Sequence, residues 1–278
     1  MTSSANTFAR HTIFSRHTFK AQDRYFLVCA ALVCVVCTTA TIIDCVHMSA
    51  MDGMSMAGGW TMSMMWMLMP DQTWFEAAVS FARMWVVMMV AMMMPVLFTI
   101  LRRYRQSIGD IPRLNLLTLM ISIGYFFTWI LVGIVVFPMG IWVADVAMQN
   151  STIARNAPTI TGLIVTFAGV LQFTRWKAQQ LACCRNTPEQ HIPIKRNISS
   201  SLRYGFRIGL RCNYCCTGLT LVLLVVGVMD PVAMTLVAIA IAAERLATAG
   251  RQVAKLIGII LIGIGLYMLI QALGFKQI

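Results

Sequence analysis

The sequence predicts an all-α polytopic membrane protein, a bundle of about seven transmembrane helices with a cytoplasmic N-terminus and a Met-rich extracytoplasmic loop. Composition is the first reason. Of 278 residues, 59% are hydrophobic and 12% charged, against about 25% charged in a soluble domain, and the mean hydropathy is +0.75. The second is length: the apolar residues fall in runs close to the ~20 that a bilayer requires. The third is charge placement. Nineteen of the 22 Lys and Arg residues lie in segments that the alternation of runs puts inside, and only Arg83, Arg155 and Lys276 fall outside. That is the positive-inside asymmetry. A formal charge of +12 could attract nucleic acid, but no basic stripe interleaved with aromatics exists outside the apolar runs, so nucleic-acid binding is excluded.

Residues 1–24 are polar and basic and read as a cytoplasmic tail. Tyr25–Ile43 is the first span. A signal peptide would have a core of only ~7–15 residues ending in a small-x-small site, whereas Ile42-Ile43-Asp44-Cys45 follows here, so the segment is an anchor. Residues 44–80 form the extracytoplasmic loop, whose Trp60, Trp66 and Trp74 suit an interface belt. The remaining 81–278 form a six-helix membrane domain. Its spans are Phe81–Leu101, with Pro95 as a kink, Leu116–Pro138, Thr159–Leu181, Cys212–Val228, Val232–Ala243 and Val253–Gly274. A polar outer loop joins Met139 to Pro158, and a basic linker covers Ala182–Gly209. Met229-Asp230-Pro231 is a tight outer turn, with Asp230 as N-cap and Pro231 at the first helical position. Gly258, Gly263 and Gly265 in the last span allow a neighbouring helix to come close.

Sulfur is the unusual feature. Fifteen of the 22 methionines lie between His47 and Met94. A thioether is neutral at every pH and polarizable, so it holds a soft cation without losing a proton, and soft sulfur donors select Cu(I) over Mg²⁺ or Ca²⁺. In the loop, His47, Met48, Met51, Met54 and Met56 stand among small polar residues with no core to fill, so ligation is the better reading. In the second span Met88, Met89, Met92 and Met93 serve equally as core filler, since methionine does both.

Nine cysteines do not form a secreted disulfide framework. Cys212, Cys215 and Cys216 begin one expected span and Cys184, beside Cys183, ends another at the same depth. Thiols three and four apart share a helical face, and a second helix could complete a two- to four-sulfur site for copper or zinc. Small apolar packing at helix ends explains the same cysteines equally simply. Cys34 and Cys37, mid-span, read as packing, and Cys45 has no obvious partner. Glu244 within a span is costly unless a cation pairs with it or function requires it. The four histidines (His11, His17, His47, His191) all lie outside the spans, which excludes a bis-histidine haem. No phosphate loop and no Ser/His/Asp set is present, so no catalytic constellation emerges.

Trp85-Val-Val-Met88-Met89-Val-Ala91-Met92-Met93-Met94-Pro95 resembles the W-x-x-M-x-x-A-M-M-x-P segment of the bacterial family of predicted metal-binding integral membrane proteins, a domain of unknown function. Gly124-Tyr125 with Trp129 is similar to that family's next span. Ala168-Gly169, Gln172, Lys177, Cys184, Arg185 and Pro188 resemble its third signature. Gly209, Cys212, Cys215, Cys216, Gly227, Met234 and Glu244 resemble its last. The resemblance runs over about residues 80–250 and leaves out the Met-rich loop. Cys183 and Cys184 are adjacent where the family separates its two cysteines, and Asp230 replaces an asparagine. What the resemblance implies is metal binding.

The leading expectation is therefore a multi-pass protein of the bacterial inner membrane that handles copper, with zinc as the rival metal. Its partners would be the lipid bilayer and a metal-donor or metal-acceptor protein. The competing class is a structural or assembly subunit of a larger membrane complex, one containing a copper enzyme for instance. A membrane oxidoreductase lacks an identifiable redox centre.

Overall fold

A computed structural model describes residues 21–50, 53–56, 59–67, 72–108, 113–185, 197–228, 230–247 and 249–274. Among the described residues the architecture is all-α apart from one small hairpin. The helices are α1 (Ala21–Ala50), α2 (Trp74–Ile108), α3 (Leu114–Gln149), α4 (Ser151–Leu171), α5 (Arg175–Arg185), α6 (Ile198–Val226), α7 (Pro231–Leu246) and α8 (Gly250–Gly274). Strands β1 (Met54–Met56) and β2 (Trp60–Met62) pair antiparallel between α1 and α2.

Among the described residues five helices, α1, α2, α3, α6 and α8, are long and apolar enough to cross a membrane, and α4 with α5 makes a sixth candidate bent by 63°. Seven spans were expected. The difference is α7, whose 16 residues reach only ~24 Å against a ~30 Å hydrocarbon core. The expected fourth span is broken after Leu171. There the Thr174 hydroxyl accepts from the Lys177 amide at 3.2 Å, starting α5 as a new helix.

Several helices outrun their apolar runs. Helix α1 continues past Ile43, so Asp44, Cys45, His47 and Met48 stand on its last turns instead of in a loop. Helix α3 continues past Pro138 to Gln149 through the segment expected as an outer loop. Packing sustains it: Ala144 and Ala147 bury against Met62 of the hairpin, and Gly140 lies against the ring of Trp66. Helix α6 starts at Ile198, inside the expected basic linker, so its cysteines lie mid-helix.

The core is built on one face of α2. Phe81, Met84/Trp85, Met88/Met89, Met92/Met93, Val96/Leu97 and Ile100/Leu101 are all buried, the three-and-four spacing of a single helical stripe. Trp85 donates its indole N–H to the Trp129 carbonyl at 2.8 Å and so ties α2 to α3. Helix α3 runs against α6 and α4 against α8. Glycines set both contacts. A Cβ on Gly205 would strike the Ile121 backbone, and one on Gly124 the Leu202 carbonyl. In the second pair, Gly162 meets Gly265 and Gly169 meets Gly258, each against the other's carbonyl. Both helices carry their glycines seven residues apart, as an antiparallel contact requires. Gly263, expected in that set, faces open space.

Candidate metal centre

The close approach of α3 and α6 brings Tyr125 onto the cysteines. Gly209 lets the α3 backbone at Tyr125 come near, and Asn213 donates to the Thr128 carbonyl at 3.3 Å one turn further. The Tyr125 hydroxyl then stands 2.9 Å from Cys212 Sγ. From the other side, the stripe of α2 brings Met93 Sδ to 4.0 Å from Cys212 Sγ. Cys216 lies one turn from Cys212 on the same face of α6, next to Cys215. The three thiols are 0–2% exposed and Met93 1%.

Charge collects at the same turn of α6. Lys177 of α5, brought in by the break after α4, donates to the Cys215 carbonyl at 2.6 Å and pairs with Glu244 of α7 at 2.8 Å. Arg245 donates to the Cys212 carbonyl at 3.5 Å. Lys177, Glu244 and Arg245 are all buried. Glu244 thus has the cation its position demanded, and that cation is Lys177. Gln172, at the break itself, is buried with neither amide atom partnered among the described residues.

Chemically this is a buried, sulfur-rich cluster with cationic neighbours. Among the described residues no three His, Cys, Asp or Glu side chains converge on one point. The thiols are strung along one helix, all on α6. Structural zinc asks for four such donors in a tetrahedron, so the set does not suit it. A thiol facing a thioether is a soft two-sulfur set of the kind that favours Cu(I). Two metal–sulfur bonds of about 2.3 Å, the zinc–thiolate length, would reach across a 4.0 Å gap.

The other sulfur residues are dispersed. Met88, Met89 and Met92 are buried with Met93 on the α2 stripe. Met54 and Met56 lie in the hairpin, in register with Met62 and Trp60, so these four share one face. Met62 is buried on α3 while Met54 is exposed. His47 is exposed and Met48 half-buried at the end of α1. Met51 and the Cys184 side chain lie outside the described residues, so the expected meeting of Cys184 with the α6 thiols does too. Asp230 is an exposed N-cap, accepting from Val232 N at 2.8 Å and Ala233 N at 3.2 Å.

Sequence reasoning did not find Tyr125, Lys177 or Met62 as partners. Tyr125 was visible as a polar group in an apolar helix and Lys177 as a cation near the inner end of an expected span, the signals that could have found them. Met62 required the hairpin register.

A family model described as PpoB2, copper chaperone, matches residues 82–268. No curated protein and no solved structure matches the chain. The matched region holds the α2 methionines, Tyr125, Lys177, the α6 thiols and Glu244, and leaves out α1 and the hairpin. It covers more than half of the chain. The chain belongs to this copper chaperone family.

Proposed function

We propose, from its membership of the copper chaperone family, that this chain is a multi-pass protein of the bacterial inner membrane that holds Cu(I) and passes it to a partner. The observation that carries the reading is the buried meeting of Cys212 with Met93 at 4.0 Å, beside Cys216, Cys215 and Tyr125. Cu(I) takes the place of the Cys212 thiol proton, with the Met93 thioether as a neutral second donor. The buried cations Lys177 and Arg245 donate to the Cys215 and Cys212 carbonyls beside these thiols.

Seven crossings remain the proposed topology. Two contacts support α7 as the short one. Near its start Met234 touches Cys45, late on α1, and near its end Glu244 meets Lys177 beside the α6 thiols. Counting α7 also keeps Arg251 and Lys255 on the side of the other basic segments. The hairpin methionines, exposed Met54 with half-buried Met56, are proposed as extracytoplasmic ligands, with His47, Met48 and Met51 nearby in sequence.

The test is Cu(I) binding by the purified protein in detergent, without oxygen, against a coloured Cu(I) chelator. Wild type should take copper from the chelator, and Cys212→Ser with Met93→Leu should lose one equivalent. No copper on the wild type, together with a stoichiometric co-purifying partner, would replace this reading with that of an assembly subunit.

A further inference from the structure

A second thiol and thioether meet elsewhere in the bundle. Cys45 Sγ of α1 lies 3.5 Å from Met234 Sδ of α7. The two residues are 189 apart in sequence, and both are buried, at 2% and 6%. In chemical type the pair repeats Cys212 with Met93. Its level in the bundle follows from the neighbouring residue: Asp44 pairs with Arg83 of α2 at 3.3 Å, so Cys45 stands beside the turn of α2 that carries Met84. Met93 is nine residues further along the same helix, about 14 Å away. Met88, Met89 and Met92 fill the buried face between them.

We propose that Cys45 and Met234 form a second Cu(I) site, at the hairpin end of the bundle, and that the α2 methionines connect it to Cys212. The proposal rests on the reading that the chain handles Cu(I). Two metal–sulfur bonds of about 2.3 Å, the zinc–thiolate length, would reach across 3.5 Å. The Cys45 thiol proton leaves on binding, and Met48, one turn beyond Cys45 on the same face, is the nearest further thioether in sequence. Thioethers placed a turn apart offer weak, neutral stations between two thiolates. Such a row suits an ion that must move on, whereas a closed thiolate cage would retain it.

The experiment compares the oxygen-free, detergent-solubilised full chain as wild type, as Cys45→Ser with Met234→Leu, and as Cys212→Ser with Met93→Leu. Chelator competition reads the equivalents of Cu(I) bound. A second reading needs no substitution. A small thiol-alkylating reagent is applied to wild type with and without Cu(I), and peptide mass spectrometry scores each cysteine. The expected result is one equivalent lost in each double variant and protection of both Cys45 and Cys212. If the Cys45/Met234 variant folds poorly, Met234→Leu alone keeps the volume and the thiol, and should weaken one equivalent about tenfold. The proposal falls if Cys45 reacts equally with and without copper while Cys212 is protected, an outcome that leaves the proposed function standing. Absence of any copper on wild type removes both.

Discussion

The Tyr125 hydroxyl and the Cys212 thiol stand 2.9 Å apart, with no exposure to solvent at either residue. Once the thiol proton is displaced, the sulfur can only accept, and the phenol becomes its donor. A hydrogen bond to a charged acceptor is worth about 1.5–3 kcal/mol. Tyr125→Phe, which keeps the ring, should therefore weaken Cu(I) binding by tenfold or somewhat more. Competition with a Cu(I) chelator measures it, and unchanged affinity would mean that the hydroxyl plays no part.

The Lys177–Glu244 pair carries a different expectation. Both side chains are at most 5% exposed. Removing one partner leaves a buried charge alone, at about 3–5 kcal/mol, whereas replacing both with apolar groups costs far less. Lys177→Met should lower the thermal midpoint steeply, and Lys177→Met with Glu244→Leu should recover most of the loss. Equal destabilisation by the single and double variants would show that the pair is not coupled.

Gly205 and Gly263 form a matched test of close packing. A Cβ at 205 would meet the Ile121 backbone, but one at 263 meets nothing. Gly205→Ala should cost about 1–3 kcal/mol by overpacking and, by separating α3 from α6, should also weaken copper binding. Gly263→Ala should leave stability unharmed and copper binding unchanged. Thermal unfolding in detergent, with and without Cu(I), reads both.

Much of this was legible in the sequence, because long apolar helices announce themselves by composition and period. The α2 stripe from Phe81 to Leu101 and the Asp230 cap were readable from spacing alone. Helix ends were not. Apolar runs mark where a helix is buried, not where it stops, so α1, α3 and α6 all extend through polar residues that packing and backbone bonding still favour. The break after Leu171 was also hidden, since Thr174 acts through a local cap that hydropathy does not register. The site was half visible. Cysteines three and four apart predicted a shared face, but Met93, Tyr125 and Lys177 reach it from three other helices. No local pattern encodes that meeting.

The Asp230 cap reaches the second sulfur pair. Its carboxylate holds two amides at the start of the helix that presents Met234. Asp230→Ala should cost about 1 kcal/mol and weaken the Cys45 equivalent more than the Cys212 one. Asp230→Asn, which can still cap, should restore both. A uniform loss across the two would point to general destabilisation.

The hairpin has one more consequence. Its Trp60 donates to the Ala154 carbonyl of α4 at 2.8 Å, and its Met62 is sunk against α3. The methionines of the hairpin are therefore held in place, fastened to α4 and to α3, the helix that also carries Tyr125. On the proposed function, a carrier delivering copper therefore docks on the hairpin, because side chains held this way do not reach out into solution for the ion.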